Sequence, residues 1–445
     1  MTESQTESAV AVVGAGPAGI YAARQLALEG VDVALFNRDI KPGGLAEYGI
    51  YYDKHKMKEG LRKQFRQILE IPQIKYFGNV TIGLDGEMSL EELRNLGFQV
   101  IMVTVGAQGT KWLGLPGEEL KGVYHAKDIV YHYNKLPPFS TKEFAVLGRV
   151  ALVGVGNVMM DIAHWAIRDL KVDEVIAVAR RGPAEVKFTK KEMEYIARNL
   201  DQQALDEELS RVAPLMQEIG QDVQAAKGYI LSAMPKALPP VSNTRFRFDF
   251  LASPTCMLGN EAGQVVGLEV EENKLVLKDG DTKARGLGIR RVLDVDSVVF
   301  CIGDKVDERF GLPVQWNEYV KNPTPRFPVD GVSYEAYDPQ TNTPIEGVFV
   351  AGWSREASSG LVGVARKDGE NGARALLQYL RSGYVQPSPG NVFDRMDLHL
   401  KRSGKPVICK EDVWKLEAFE KAEADRLGLE EYKMKTNQEM LAILK

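Results

Sequence analysis

Residues 9–37 read AVAVVGAGPAGIYAARQLALEGVDVALFN, and their order decides the fold. AVAVV (9–13) is an apolar run too short for a helix. It meets the glycine cluster Gly14-Ala15-Gly16-Pro17-Ala18-Gly19. IYAARQLALEG then shows helical spacing and stops at Gly30, and VDVALFN (31–37) alternates as a strand does. Strand, glycine turn, helix, strand is a βαβ unit. Gly14 permits the tight turn and Gly16 lets the backbone approach a pyrophosphate. Gly19 lets helix and strand pack closely, and the helix N-terminus supplies partial positive charge. The pattern predicts dinucleotide binding. The second strand of such units usually ends on an acid that holds the adenosine ribose. Here it ends on Asn37, whose amide can hydrogen-bond without the charge.

The same order recurs at 144–181, as FAVLGRVALVGV, GNVMMDIAHWAIRDL and VDEVIAVARR. The second turn is Gly154-Val155-Gly156-Asn157-Val158-Met159. Met159 stands where a small residue is expected, so it should either spread helix and strand or displace the pyrophosphate. Arg180-Arg181 closes the following strand. NAD-binding folds place an acid there and NADP-binding folds an arginine, whose planar fork matches the 2′-phosphate. The pair predicts NADP(H).

A third candidate follows the buried strand GVFVA. Gly352-Trp353 and Ser358-Ser359-Gly360-Leu361-Val362 form a junction of small residues from which backbone N–H groups can reach a ligand, and Trp353 can cover a flavin ring. A helix is expected around 362–381. Residues 201–243 read as polar helix and 245–303 as a β-rich excursion. The charged, amphipathic tail from 390 carries Trp414, Leu416 and Phe419 as packing residues.

The 445 residues, 44% hydrophobic and 26% charged, suit two or three globular domains. The net charge of −5 argues against nucleic-acid binding. Cys256, Cys301 and Cys409 are isolated, with no CxxC pair and too few thiolates for a cysteine-ligated iron–sulfur cluster. The small cysteine count fits a reducing cytoplasm. MTESQTES lacks the features of a signal peptide, and no run approaches a membrane span. With 5 histidines, a multi-histidine metal site is not expected. The reading is an α/β chain with two nucleotide-binding Rossmann-like domains.

Nearly the whole chain resembles the adrenodoxin reductase type of ferredoxin–NADP reductase, which is related to the glutamate synthase small-subunit flavoproteins. The likeness is carried by GAGPAG (14–19), GGL (43–45), YFGNV (76–80), LPGEELKGV (115–123), GVGNVMMDIA (154–163), ARRGPAEVKFTKKE (179–192), VAGW (350–353) and SGLV (359–362). It implies three-layer β/β/α domains: FAD in 1–107 and 304–445, and NADP in 108–303, inserted in the first. It implies FAD contacts at Gly14, Gly16, Pro17, Ala18, Gly19, Asn37, Gly44, Leu45, Val80, Trp353, Gly360, Leu361 and Val362. It implies NADP contacts at Gly154, Val155, Gly156, Asn157, Val158, Arg180, Arg181, Glu192 and Gly360. NADPH would give hydride to the flavin, which would pass single electrons to a ferredoxin or flavodoxin-like acidic carrier. No catalytic acid, base or metal is implied, because alignment of two rings does the work.

The chain departs from that pattern at Asn37 and Met159. Glu47-Tyr48-Gly49-Ile50 looks more like the glutamate synthase branch, and the family's Pro-Asp-His stretch reads Tyr52-Asp53-Lys54. The cation cluster that docks ferredoxin is thinned to Lys227 near 221–230, with Lys187, Lys190, Lys191 and Arg198 as substitutes. Alternatives are an electron-input subunit of a glutamate synthase-like complex, whose usual N-terminal cysteines are absent before Cys256, and a non-catalytic flavin-binding partner.

Overall fold

A computed structural model describes residues 9–278, 280–357, 361–385 and 388–445. The chain forms two compact units, and the second lies within the first along the sequence. The first takes the chain up to Thr110, Tyr131–Thr141 and Gly303–Lys445; the second takes Lys111–Val130 and Lys142–Ile302.

The first unit is built on a six-stranded sheet in the order Glu335–Asp338, Thr343–Val350, Val100–Val103, Ala9–Val13, Asp32–Asn37, Ile74–Gly78. All pairings are parallel except that of the first two strands. Ala9–Val13 is buried on both faces: Val10 and Val12 join one apolar cluster, and Ala9, Ala11 and Val13 join another. That explains a continuous apolar run in place of alternation. The helix Pro17–Leu28 buries Ala18, Ala22, Ala23 and Ala27. Small side chains there allow close approach by the helix Val362–Arg381, where a Cβ on Gly369 would lie 2.1 Å from the Ala18 carbonyl oxygen. The tail forms the helices Val392–Arg402, Lys410–Leu427 and Asn437–Leu444.

The second unit holds a five-stranded parallel sheet in the order Val123–His125, Ser297–Phe300, Arg149–Val153, Glu174–Val178, Arg245–Asp249. A three-stranded antiparallel sheet, Ala252–Gly259, Val265–Lys278 and Asp281–Asp294, shares its apolar cluster. The expected β-rich excursion is therefore two strands of the parallel sheet, Arg245–Asp249 and Ser297–Phe300, with this meander between them. Both units are mixed α/β with parallel nucleotide-fold sheets. Among the described residues no helix is long and apolar enough to cross a membrane.

Candidate functional site

In the first turn the glycines do distinct work. Gly14 has φ +108°, and a Cβ there would meet the Thr104 carbonyl oxygen at 2.5 Å. A Cβ on Gly19 would fall 1.8 Å from the Gly14 carbonyl oxygen, so helix and strand touch backbone to backbone. A Cβ on Gly16 would meet nothing within 4 Å. Gly16 precedes Pro17, the first residue of the helix, so the open space lies at a helix N-terminus. Thr104 closes the strand end by donating to the Val13 and Gly14 carbonyls at 3.0 and 2.9 Å.

Asn37 sits at the end of its strand, but its amide is turned inward. Nδ2 donates to the Asp39 and Lys41 carbonyls (2.8 and 2.9 Å) and to the Tyr76 hydroxyl (3.2 Å). Oδ1 accepts from the Ala15 N–H at 3.3 Å. Both amide hydrogens are thus taken by the protein, and the ribose reading narrows to the second lone pair of Oδ1. Asn37 knits the glycine turn to the loop that follows it. In that loop Gly43 and Gly44 have φ +112° and +49°, Gly43 donates to the Ala15 carbonyl at 2.7 Å, and a Cβ on Gly44 would lie 3.1 Å from Gly16 Cα. Leu45 opens a short helix and is half-buried. The Val80 side chain is in the core and its N–H donates to the Asn37 carbonyl at 2.9 Å.

The Gly352–Ser354 turn follows the strand Thr343–Val350. Gly352 has φ +65° and approaches Ala18, whose Cβ would be 2.6 Å from a Cβ on Gly352. Asp368 accepts the Gly352 N–H at 2.6 Å and pairs with Arg355 at 2.7 Å. Trp353 is half-buried. Leu361 is 65% exposed at the N-terminus of the helix Val362–Arg381, and Val362 packs on the core. Ser358, Ser359 and Gly360 lie outside the described residues.

In the second unit, Gly154 has φ +128° and a Cβ there would meet the Cys301 carbonyl oxygen at 2.4 Å. A Cβ on Gly156, before the helix Asn157–His164, would again meet nothing within 4 Å. The turn is braced from 187–189: Lys187 donates to the Val155 carbonyl at 2.9 Å and Thr189 N–H to Asn157 Oδ1 at 2.8 Å. Val158 is exposed, whereas Met159 is 0% exposed. The Met159 side chain is thus fully buried, and it does not come within 4 Å of the position a Cβ on Gly156 would take. Cys301 is buried, and desolvation pushes its thiol up, away from reactivity.

Arg180 is exposed at the strand end, and its carbonyl accepts from Nδ2 of the buried Asn273 at 2.9 Å. Arg181 is half-buried, with its guanidinium 3.4 Å from the Thr282 carbonyl. The two arginines are therefore unequal: one is free to turn to a ligand, and the other is partly engaged by the hairpin. Glu192 lies in the first turn of the helix Lys190–Met193, capped by Thr189. Of the cations, Lys227 pairs with Asp206 at 2.5 Å and Lys191 with Glu194 at 3.1 Å, while Lys187, Lys190 and Arg198 are exposed.

Residues 8–207 match the pyridine nucleotide-disulphide oxidoreductase family. The chain is 28% identical to the NADPH-ferredoxin reductase FprA of Mycobacterium leprae over 98% of each chain. It is 28% identical to the mitochondrial NADPH:adrenodoxin oxidoreductase of Arabidopsis thaliana over 89% of this chain and 87% of the other. The solved structure of Mycobacterium tuberculosis FprA in complex with NADPH has the same fold, with a TM-score of 0.79, 24% identity, and coverage of 98% and 99%. Over nearly its whole length the chain is similar to NADPH-ferredoxin and NADPH:adrenodoxin reductases.

Sequence reasoning overlooked Thr104, Asp368 and Asn273. Each supports a glycine turn or strand end from outside the motif. Asp368 had a faint signal as an acid in the first turns of the helix after Gly352-Trp353. Thr104 and Asn273 had none.

Proposed function

We propose that the chain is an FAD-dependent NADPH oxidoreductase that passes electrons to a ferredoxin-like one-electron carrier. The observation that carries this reading is the paired geometry of the two turns. In each, the first glycine is locked against backbone, while the middle glycine leaves open space at a helix N-terminus. Full-length likeness to enzymes named for NADPH and ferredoxin supports the same assignment.

The first unit would hold FAD, with Gly14 to Gly19 and Gly44 at its pyrophosphate and Trp353, Leu361 and Val362 near its ring. The second would hold NADPH through Gly154 to Val158, with Arg180 as the principal 2′-phosphate ligand, Arg181 secondary to it, and Glu192 as a further contact to the cofactor away from that phosphate. FAD, when bound, supplies the chemistry that takes two electrons from NADPH as hydride and releases them one at a time. The chain's own residues bind, orient and insulate. Two carriers would be reduced per NADPH oxidised, with release of a proton. The acidic carrier would meet Lys187, Lys190 and Arg198. A cytoplasmic setting rests on the three cysteines, which are free thiols.

Anaerobic addition of NADPH to the purified flavoprotein should bleach the flavin absorbance, and a ferredoxin added next should restore it. No bleaching defeats the oxidoreductase reading. Bleaching without transfer to any ferredoxin or flavodoxin defeats the partner alone.

A further inference from the structure

The tail from 410 onward adds no strand to either sheet, but Val413, Leu416, Met434 and Met440 join the apolar cluster of Val10 and Val12, and the tail reaches the loop that presses on the first glycine turn. Gly43-Gly44 rests on Ala15 and Gly16, as described above. Lys41 stands just before this pair of glycines and Glu47 just after it. Both are buried, with side chains 6% and 5% exposed, and both find their partners in the tail. Lys41 Nζ donates to Glu420 at 2.6 Å. Glu47 accepts from Lys433 Nζ at 2.7 Å, and the same ammonium donates to the Glu47 backbone carbonyl at 3.1 Å. Arg62 forks onto Glu47 with two bonds of 2.6 Å and reaches Glu431 at 2.6 Å. Glu420 turns its other oxygen to the Met434 N–H at 3.1 Å. Burial alone would raise the Glu47 carboxyl, but Lys433, Arg62 and Lys41 hold it well below the usual carboxylate range.

Apolar packing could have docked the tail without desolvating Lys41, Arg62, Lys433, Glu47, Glu420 and Glu431. Buried ion pairs are a poor source of stability, and in some proteins they serve to fix a single geometry. Here the geometry they specify is the position of a two-glycine turn with positive φ, a segment with much freedom to lose. We propose that the C-terminal tail, through the helix Lys410–Leu427 and the segment that follows it, clamps this turn against the pyrophosphate loop, with Lys433 and Glu420 as positioning residues for FAD. The proposal rests on the FAD reading above. Preorganising the turn raises affinity because its ordering is complete before the ligand arrives.

The test uses the full chain stripped of FAD. Lys433→Met and Glu420→Gln should each weaken FAD binding by about tenfold or more, read by flavin fluorescence quenching, with the far-UV spectrum and NADP(H) affinity retained. Linkage requires the reverse effect in the unaltered chain: FAD should slow amide exchange at 431–436 as well as at 42–49. FAD affinity unchanged in both variants, or a tail whose exchange ignores FAD, overturns the clamp. The exchange measurement decides the matter should the variants not fold. Failure of the unaltered chain to bind FAD would instead overturn the flavin assignment itself.

Discussion

The two glycine turns share a sequence order but differ in how they close. The first, 14–19, is sealed: Gly19 touches backbone, Thr104 locks the strand end, and Asn37 faces inward. The second, 154–159, carries a buried Met159 at the position of Gly19, is braced from 187–189, and its strand end offers an exposed Arg180. The middle glycine is alike in both, with nothing near its missing Cβ. The comparison separates what a dinucleotide needs, which is the open middle position, from what one particular helix–strand spacing needs, which is the third.

The strongest way to break this contrast is Gly19→Ala. Its methyl would sit on the Gly14 carbonyl, and overpacking costs typically ~1–3 kcal/mol, more where backbone must move. The variant should purify without FAD, as judged by the ratio of flavin to protein absorbance. A fully loaded variant would show that the first turn is as tolerant as the second. Met159→Ala should do the opposite. It should lower stability by about 2–5 kcal/mol through the cavity it leaves, with NADPH affinity unchanged. Tighter NADPH binding in this variant would mean that Met159 crowds the ligand after all.

Arg180→Ala sharpens the asymmetry of the strand end. Loss of a charge-assisted phosphate contact of about 1.5–3 kcal/mol should raise the NADPH KM some ten- to a hundredfold, with little change for NADH. Arg181→Ala should do less, since its guanidinium leans on the Thr282 carbonyl. Equal losses with both cofactors would make the pair structural. The smallest effect concerns the partner. Lys187→Glu/Lys190→Glu should slow ferredoxin reduction at low salt, and the difference should fade as the screening length falls from about 8 Å at physiological salt to about 3 Å at 1 M. Reduction of a small neutral dye by NADPH should be indifferent to both. If the dye rate falls too, these lysines serve NADPH.

The glycine turns, their flanking strands and helices, and Arg180 could be read directly, because local spacing dictates them. What escaped was direction and distance. Sequence shows that Asn37 ends a strand, but not that its amide turns back to Ala15, Asp39 and Lys41. The bulk of Met159 was plain, but whether it faced ligand or sheet depended on how the helix is rotated. Arg181 looked equivalent to Arg180 until the hairpin 265–294 was placed beside it. The pairings of Lys41 with Glu420 and of Glu47 with Lys433 join residues hundreds of positions apart, and a charged tail gives no hint of which charges it will bury.

The interleaved chain has a consequence for birth as well as for function. The strand Val100–Val103 pairs with Ala9–Val13 on one side, and its other edge is covered only when Val348, Phe349 and Val350 pair with Ile101, Met102 and Val103. On the ribosome the second unit can be completed at Ile302, while the first sheet still lacks that neighbour. At about 5–20 residues per second the apolar edge at 100–103 waits on the order of ten seconds or longer for its mate. A nascent chain that has cleared the ribosome only as far as residue 302 should thus carry a finished nucleotide fold and an unfinished one with a sticky rim, the stage at which a chaperone has most to protect.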